Sequence, residues 1–527
     1  MDLNALAFVH GASMKKIEFN YFYLIIFIIF SLTLRLFFID KNPYWMDESY
    51  TSWFTNQSYY NLIFWVPTFE SHPPFYYLVT KLWNHSIGLF FNLPERYFSL
   101  LTSIFLFYTS YQISRVLCFD DRQFFLKLSI FMFIGLSPVI AWYSLEARPY
   151  LLLMLSYSIA IYGFFSIILN KDKSSYRAWI ILSLGTLITN WSHSTGPIYS
   201  FVIYVALLNN YYFNRNGIHI KFLVGSVIAV FIFSLPLLYI IIQQLQGWSS
   251  STWIPEPDIN YILNVLKFLY FPHSHSGYGY IEVIFKALMT GLSIYGLYKI
   301  TKDKNYQYFY LIFFAISIPV INLIISKIGP NIFLDRTLSP VIIPYYIFLS
   351  ISITSIVNRR IRYGLFIIIF LFLSGATYDT LKYQQKEPWD QVYNHLLHQK
   401  EENYIVLLLP NSIELAVAHV NSDYKQTLNI HAIPHAYPAI GLSTFYPGGT
   451  PSVPGFTSAD VDDLRKLLNH SYDKVLLVTR VESLFDPEGL IHDSLISENL
   501  SLTSSKHFRG ITVYEYQNTS KGLGNEH

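Results

Sequence analysis

The stretch NPYWMDESYTSWF, residues 42–54, places two adjacent carboxylates, Asp47 and Glu48, among aromatic side chains where a strongly apolar run ends. Ionisable groups at a membrane boundary are costly to desolvate, which makes them candidates for chemistry. Neighbouring positions on a helix point about 100° apart, so the two acids cannot both face one reacting atom. That separation suits a division of labour. One carboxylate takes a proton from an attacking hydroxyl while the other holds a helix end or a partner group. The competing reading is a pair of acids that favour the positive N-terminus of an interfacial helix.

Further polar groups recur at the ends of apolar runs. ESHPPFYYL (70–78) sets His72 before two prolines, which disfavour helix and fix a bend. SLEARPYLLL (144–153) carries Glu146 and Arg148, FLDRTLSP (333–340) carries Asp335 and Arg336, and NWSHSTG (190–196) carries His193. Arg35 stands one turn inside the end of the first apolar run. Arginine binds phosphate oxygens through two parallel hydrogen bonds and stays charged when partly buried. Cations at headgroup depth could therefore hold a lipid-linked phosphate whose tail lies in the bilayer. Snorkelling is the alternative for Arg35. A structural ion pair is the alternative for Arg148 and Arg336, each of which follows an acid within two positions.

The elements that position these groups are membrane helices. The chain has 527 residues, of which 52% are hydrophobic, 18% aromatic and 13% charged, and a soluble domain carries about twice that charged fraction. Runs of about 20 apolar residues are long enough to span a hydrocarbon core. Hydropathy gives eleven, at roughly 21–39, 97–117, 125–143, 149–169, 177–192, 196–213, 222–245, 281–299, 308–327, 338–357 and 363–378. A net charge of +2 gives no support for nucleic-acid binding, and the single cysteine, Cys118, excludes an internal disulfide. Met14, with Lys15 and Lys16 before the first run, is a candidate start, the run then serving as an uncleaved signal anchor.

Basic residues orient the spans. With Lys15 and Lys16 in the cytoplasm, the inner gaps hold Arg122 and Lys127; Lys171, Lys173 and Arg177; Arg215 and Lys221; Lys299, Lys302 and Lys304; and Arg359, Arg360 and Arg362. The N-terminus is then cytoplasmic, and 40–96, 246–280 and 379–527 lie on the outer face, level with the polar groups above. In 40–96, Tyr50, Trp53 and Phe54 recur at helical spacing, and 75–91 mixes Lys81 and His85 into an apolar stretch. Both suit short interfacial helices. A twelfth span through 75–91 is the alternative, and it would invert everything downstream. Within the tail, 403–410, 474–480 and 510–517 read as strands. Residues 387–399 and 458–470 read as amphipathic helices, the second with Ser458 and Asp460 as capping candidates. The expected architecture is an α-helical polytopic membrane protein, 15–378, followed by a small extracytoplasmic α/β domain, 379–527.

An Asp-Glu pair after the first span, a His-Pro-Pro-aromatic stretch and Glu-Ala-Arg-Pro-Tyr, in that order, resemble the GT-C glycosyltransferases that use polyprenyl-phosphate sugars. The nearest likenesses are protein O-mannosyltransferases, aminoarabinose transferases of lipid A and lipopolysaccharide-core transferases. DRTLSPVIIPYYIF (335–348) is similar to the family's late Asp-Arg-aromatic stretch, with Thr337 in place of the usual Tyr. KEPWDQVYNHLLHQKEENYIVLLLP (386–410) resembles the start of the outer domain that often follows. The resemblance implies a multi-pass cell-membrane hexosyl- or pentosyltransferase in which Asp47 is the catalytic base and Glu48 its support. It further implies that Arg148 and Arg336 bind the donor phosphate and that His72 binds or protonates it, with Arg35 a further phosphate-binding candidate by its position. Tyr50, Tyr76, Glu146, Tyr150, His193 and Asp335 are further substrate-binding candidates. The implied partners are a polyprenyl-phosphate sugar, a lipid, glycan or protein acceptor, and the bilayer.

No required metal or other cofactor is expected, although carboxylates suit hard cations. Three other functions compete. A transporter or flippase would carry polar residues near the bilayer midplane, whereas these spans are apolar in their middles. The others are a diphosphate-dependent glycan ligase and a non-catalytic envelope scaffold. The stretch 431–456, rich in aromatic, Pro and Gly residues, suits either a sugar-contacting loop or an ordinary ordered loop. His273 and His275 could line an acceptor entrance or serve as loop polar groups.

Overall fold

The computed structural model describes residues 22–70, 72–117, 122–169, 176–213, 219–248, 254, 256–271, 279–401, 403–439, 453–468 and 472–518. Met14, Lys15, Lys16, Cys118, Lys171, Lys173, Arg215, His273, His275 and residues 440–452 of the Pro/Gly-rich stretch lie outside these. The described residues fall into two units. The first draws on Met1–Ile39, Leu82–Leu238 and Glu256–Gln384, and the second on Asp40–Lys81, Tyr239–Pro255 and Gln385–His527.

The first unit is helical, and a helix coincides with each expected span. Among the described residues, six helices are long and apolar enough to cross a membrane, and a bent pair, Gln123–Gly135 with Pro138–Ser144, makes a seventh if counted as one span. The expected eleven is therefore not reached on length and apolarity. Phe22–Phe38 is too short by that measure, and Glu95–Leu117 carries Glu95, Arg96 and Arg115. The stretch 75–91 forms two short helices, Phe75–Asn84 and Ile87–Phe91, and neither is long enough to span.

The bent pair turns by 59°. Pro138 has no N–H to continue the first helix, and Ser137 caps the second by accepting from the Ile140 N–H at 3.2 Å. A break inside an apolar core frees carbonyls that must find other donors. Ser31 Oγ and Arg35 Nη1 each donate to the Gly135 carbonyl at 2.8 Å, and Thr377 Oγ1 donates to that of Leu136 at 2.6 Å. Arg35 is fully buried, and its Nε also donates to Ser144 Oγ at 3.0 Å. It thus ties Phe22–Phe38 to both halves of the break. Close helix packing elsewhere uses glycine. A Cβ on Gly185 would sit 2.5 Å from the Ala160 nitrogen, so only glycine lets Tyr176–Ser192 approach Tyr150–Leu169 so nearly.

The second unit is built on a five-stranded sheet of order β2-β1-β3-β5-β4: β1 Tyr404–Leu409, β2 Ile430–Ala432, β3 Lys474–Thr479, β4 Leu500–Phe508 and β5 Ile511–Asn518. Strands β2, β1 and β3 are parallel, and β5 and β4 extend the sheet antiparallel. β1 and β3 are buried along their whole length, as apolar runs covered on both faces must be. Val406, Leu408, Leu476 and Val478 pack under Trp389 and Ile413, whereas Ile405, Leu407, Val475 and Leu477 pack against Leu464 and Ile491. The expected helices appear as Trp389–His398 and Val461–Leu468. The cap of the latter region is Thr457, paired with Asp460, rather than Ser458. Strands β2 and β4 were not expected: β2 has three residues, and β4 is largely exposed and polar.

Candidate active site

The acid pair lies in the first turn of a helix, Met46–Asn56, within the second unit. The 100° between adjacent positions separates them as expected. Glu48 has no exposed surface, and Asp47 is half-buried. Lys386 Nζ reaches Glu48 Oε2 at 3.1 Å, from a side chain that is itself buried. The next residue, Glu387, caps the helix, because its Oε2 accepts the Met46 N–H at 3.0 Å and the Trp389 indole N–H at 2.9 Å. Its Oε1 accepts from Arg480 Nε at 2.6 Å.

This helix docks at the carboxyl ends of β1 and β3. The chain leaves β1 to one side for β2 and returns on the other side as β3, which opens a crevice where strand order reverses. Asn411 and Ser412 follow β1, Arg480 follows β3, and the Arg480 N–H donates to the Leu409 carbonyl at 2.9 Å. Tyr50, one turn beyond Asp47, is hydrogen-bonded to Ser412. Burial pushes its hydroxyl up, the charges of Glu70 and Asp47 reinforce this, and Ser412 and Arg480 oppose it, so Tyr50 stays protonated. Burial works against the Arg480 charge, yet Glu387 and Asp47 outweigh it and raise its pKa. His72 is buried beside Glu70, with Nε2 to Oε1 at 3.8 Å. Tyr76 is buried and packs edge-on against Tyr77.

The remaining candidates gather in the first unit. Glu146, Arg148, Tyr150 and His193 are all buried. Trp142 Nε1 donates to Glu146 Oε1 at 2.9 Å, and Ser99 Oγ donates to the Glu146 carbonyl at 2.6 Å, which fixes the turn carrying Arg148. The Arg336 guanidinium lies 5.8 Å from the Tyr150 ring centre, and the His193 ring lies 6.0 Å from it. Asp335 accepts the Arg336 N–H at 2.8 Å. His193 Nδ1 accepts the Thr195 N–H at 3.1 Å, which puts the proton of the neutral ring on Nε2. Burial first, then the charges of Arg148 and Arg336, hold the His193 pKa down to about 3. Two guanidinium groups, a neutral imidazole donor and a tyrosine therefore converge, a set suited to a phosphate.

The structure thus gathers Asp47, Glu48, Tyr50, His72 and Tyr76 in one unit, and Glu146, Arg148, Tyr150, His193, Asp335 and Arg336 in the other, with Arg35 at the helix break. Lys386, Glu387 and Arg480 were not picked out from the sequence as site residues. Lys386 immediately precedes the predicted tail helix, Glu387 opens it and Arg480 closes a predicted strand, but nothing in their spacing pairs them with the distant acid pair. Among the described residues, no three His, Cys, Asp or Glu side chains are grouped to hold a metal ion.

Two outcomes follow from this geometry. Lys386→Met leaves Glu48 buried with its lysine partner removed and lowers stability by about 3–5 kcal/mol, and adding Glu48→Gln recovers most of the loss. Thermal unfolding in detergent reads both, and a Lys386→Met protein that melts at the wild-type temperature contradicts the buried pair. His193 has a folded pKa below its unfolded value, so its contribution to stability is full above about pH 6.5 and declines as pH falls toward about 3. His193→Asn should flatten the stability–pH slope in that window, and an unchanged slope contradicts the assignment.

No protein-family model and no curated protein sequence matches the chain. Solved structures do. ArnT from Cupriavidus metallidurans in the apo state aligns over 96% of this chain and 99% of its own, at a TM-score of 0.60 and 11% identity. ArnT from the same organism bound to undecaprenyl phosphate aligns over 94% and 98%, at 0.57 and 12%. At this identity the likeness is one of fold. The chain shares the fold of ArnT along nearly its whole length.

Proposed function

We propose that this protein is an integral membrane glycosyltransferase that moves a sugar from a polyprenyl phosphate to an acceptor hydroxyl at the outer face of the membrane. The observation that carries the reading is the convergence of Arg148, Arg336, His193 and Tyr150. Two cations held beside a histidine that remains uncharged form a site for an anion, and the solved ArnT complex contains undecaprenyl phosphate. In this reading the arginines and the His193 Nε2–H neutralise the departing phosphate, and electrostatic stabilisation of this kind commonly contributes most to catalysis.

Asp47, the less buried acid, takes the proton from the acceptor hydroxyl as its oxygen bonds to the anomeric carbon. The bond from that carbon to the phosphate oxygen breaks on the opposite face. Single displacement inverts the anomeric configuration, and base catalysis contributes about 10² to 10⁴-fold. Glu48, paired with Lys386, supports the helix that presents Asp47. His72 and Tyr76 stand with the acid pair and are assigned to substrate contact. Arg35 is assigned to the helix break rather than to the phosphate, because its Nε and Nη1 donors are already used there.

Undecaprenyl phosphate binding to the purified protein tests the donor half of this reading. Each charge-assisted contact is worth about 1.5–3 kcal/mol. Arg148→Ala and Arg336→Ala should therefore each weaken binding about 10- to 100-fold, with Asp47→Asn leaving it unchanged. Equal binding by wild type and both arginine variants would overturn the assignment.

A further inference from the structure

Arg480 lies outside the motifs that suggest the reaction, yet it is fixed from two directions. Its N–H is held by the Leu409 carbonyl across the crevice between β1 and β3, so the sheet sets where the side chain starts. Its Nε meets Glu387 Oε1 at 2.6 Å, and the other oxygen of that carboxylate receives the first N–H of the acid helix. One carboxylate therefore links the sheet edge to the turn that carries Asp47. Arg480 and Asp47 also feel each other's charge.

We infer that Arg480 is a positioning residue for Asp47, and that Glu387, by sharing Arg480, sets how much of its charge Asp47 receives. The inference rests on the reading of Asp47 as the base. A carboxylate must be ionised to accept the acceptor proton, and a cation beside it governs both its orientation and its ionisation. Other titratable groups stand near this turn. Lys386 is paired with buried Glu48, His72 stands beside Glu70, and Tyr50 is protonated and bonded to Ser412. Through the contact of Arg480 with Glu387 and the bond of Glu387 to the Met46 N–H, the two form an opposed pair acting on one acid. Removing the arginine should make Asp47 harder to ionise, and neutralising the glutamate should make it easier. Gln at 387 keeps an oxygen for the Met46 and Trp389 N–H groups, so the cap survives that change.

The experiment measures sugar transfer against pH in native membrane vesicles carrying full-length protein at matched abundance. The donor is the lipid extract of a deletion strain, and the acceptor is that strain's envelope fraction. Arg480→Met is expected to slow transfer about 10- to 100-fold and move the acid limb of the rate profile to higher pH. Arg480→Lys should restore most of both. Glu387→Gln is expected to move the acid limb the other way, to lower pH. Should Arg480→Met fail to accumulate, the Glu387→Gln shift decides. Acid limbs that stay at the wild-type position in the accumulated variants overturn the inference, because a merely structural role lowers the rate without moving the limb. Asp47→Asn in the same series separates the two readings. An active Asp47→Asn protein removes the base assignment itself, whereas an inactive one beside unmoved limbs removes only the role of Arg480.

Discussion

Glu48 is a carboxylate with no exposed surface, and the arrangement of the acid helix follows from what that requires. A buried charge is tolerated only with a close partner and satisfied hydrogen bonds. The partner, Lys386, lies 338 positions away in sequence, at the entry to the sheet domain. Its neighbour Glu387 caps the same helix, and Met46 packs into the same core as Trp389. The helix bearing Asp47 therefore folds as part of the sheet unit, although in sequence it follows the first apolar run. Asp47 is left as the half-buried member of the pair, which suits a group that must meet a substrate.

The first unit solves a related problem with different donors. Breaking a helix in an apolar core exposes carbonyls, and Ser31, Arg35 and Thr377 satisfy them. The Arg148–Arg336–His193 cluster concentrates positive charge beside a ring that burial keeps neutral. A neutral donor next to two cations favours an anion without adding a third like charge.

Much of this was legible in the sequence. The apolar runs marked the long helices of the first unit, because a segment that must span about 30 Å of hydrocarbon has few other compositions available, whereas Ile259–Tyr270 fell in a stretch read as an outer segment. The separation of Asp47 from Glu48 followed from helical geometry alone. β1, β3 and β5 were visible as short apolar, β-rich runs. β2 was too short to show a period, and the polar face of β4 masked its alternation. The partners of the acid pair were not legible, since Lys386, Glu387 and Arg480 reach it only through the fold. Nor could sequence show which acceptor Arg35 meets in the fold. A cation near a helix end reads the same whether it meets a ligand or, as here, the carbonyl of a broken helix.

The most direct test of the central claim is lipid and envelope-glycan profiling of a deletion strain carrying either the wild-type gene or Asp47→Asn at matched membrane abundance. The account predicts that a polyprenyl-phosphate sugar accumulates in the deletion, that one envelope glycoconjugate loses that sugar, and that only the wild type restores both. Equal restoration by the two forms would contradict it, leaving the acids of the Met46–Asn56 helix as structural groups and the protein without its proposed base.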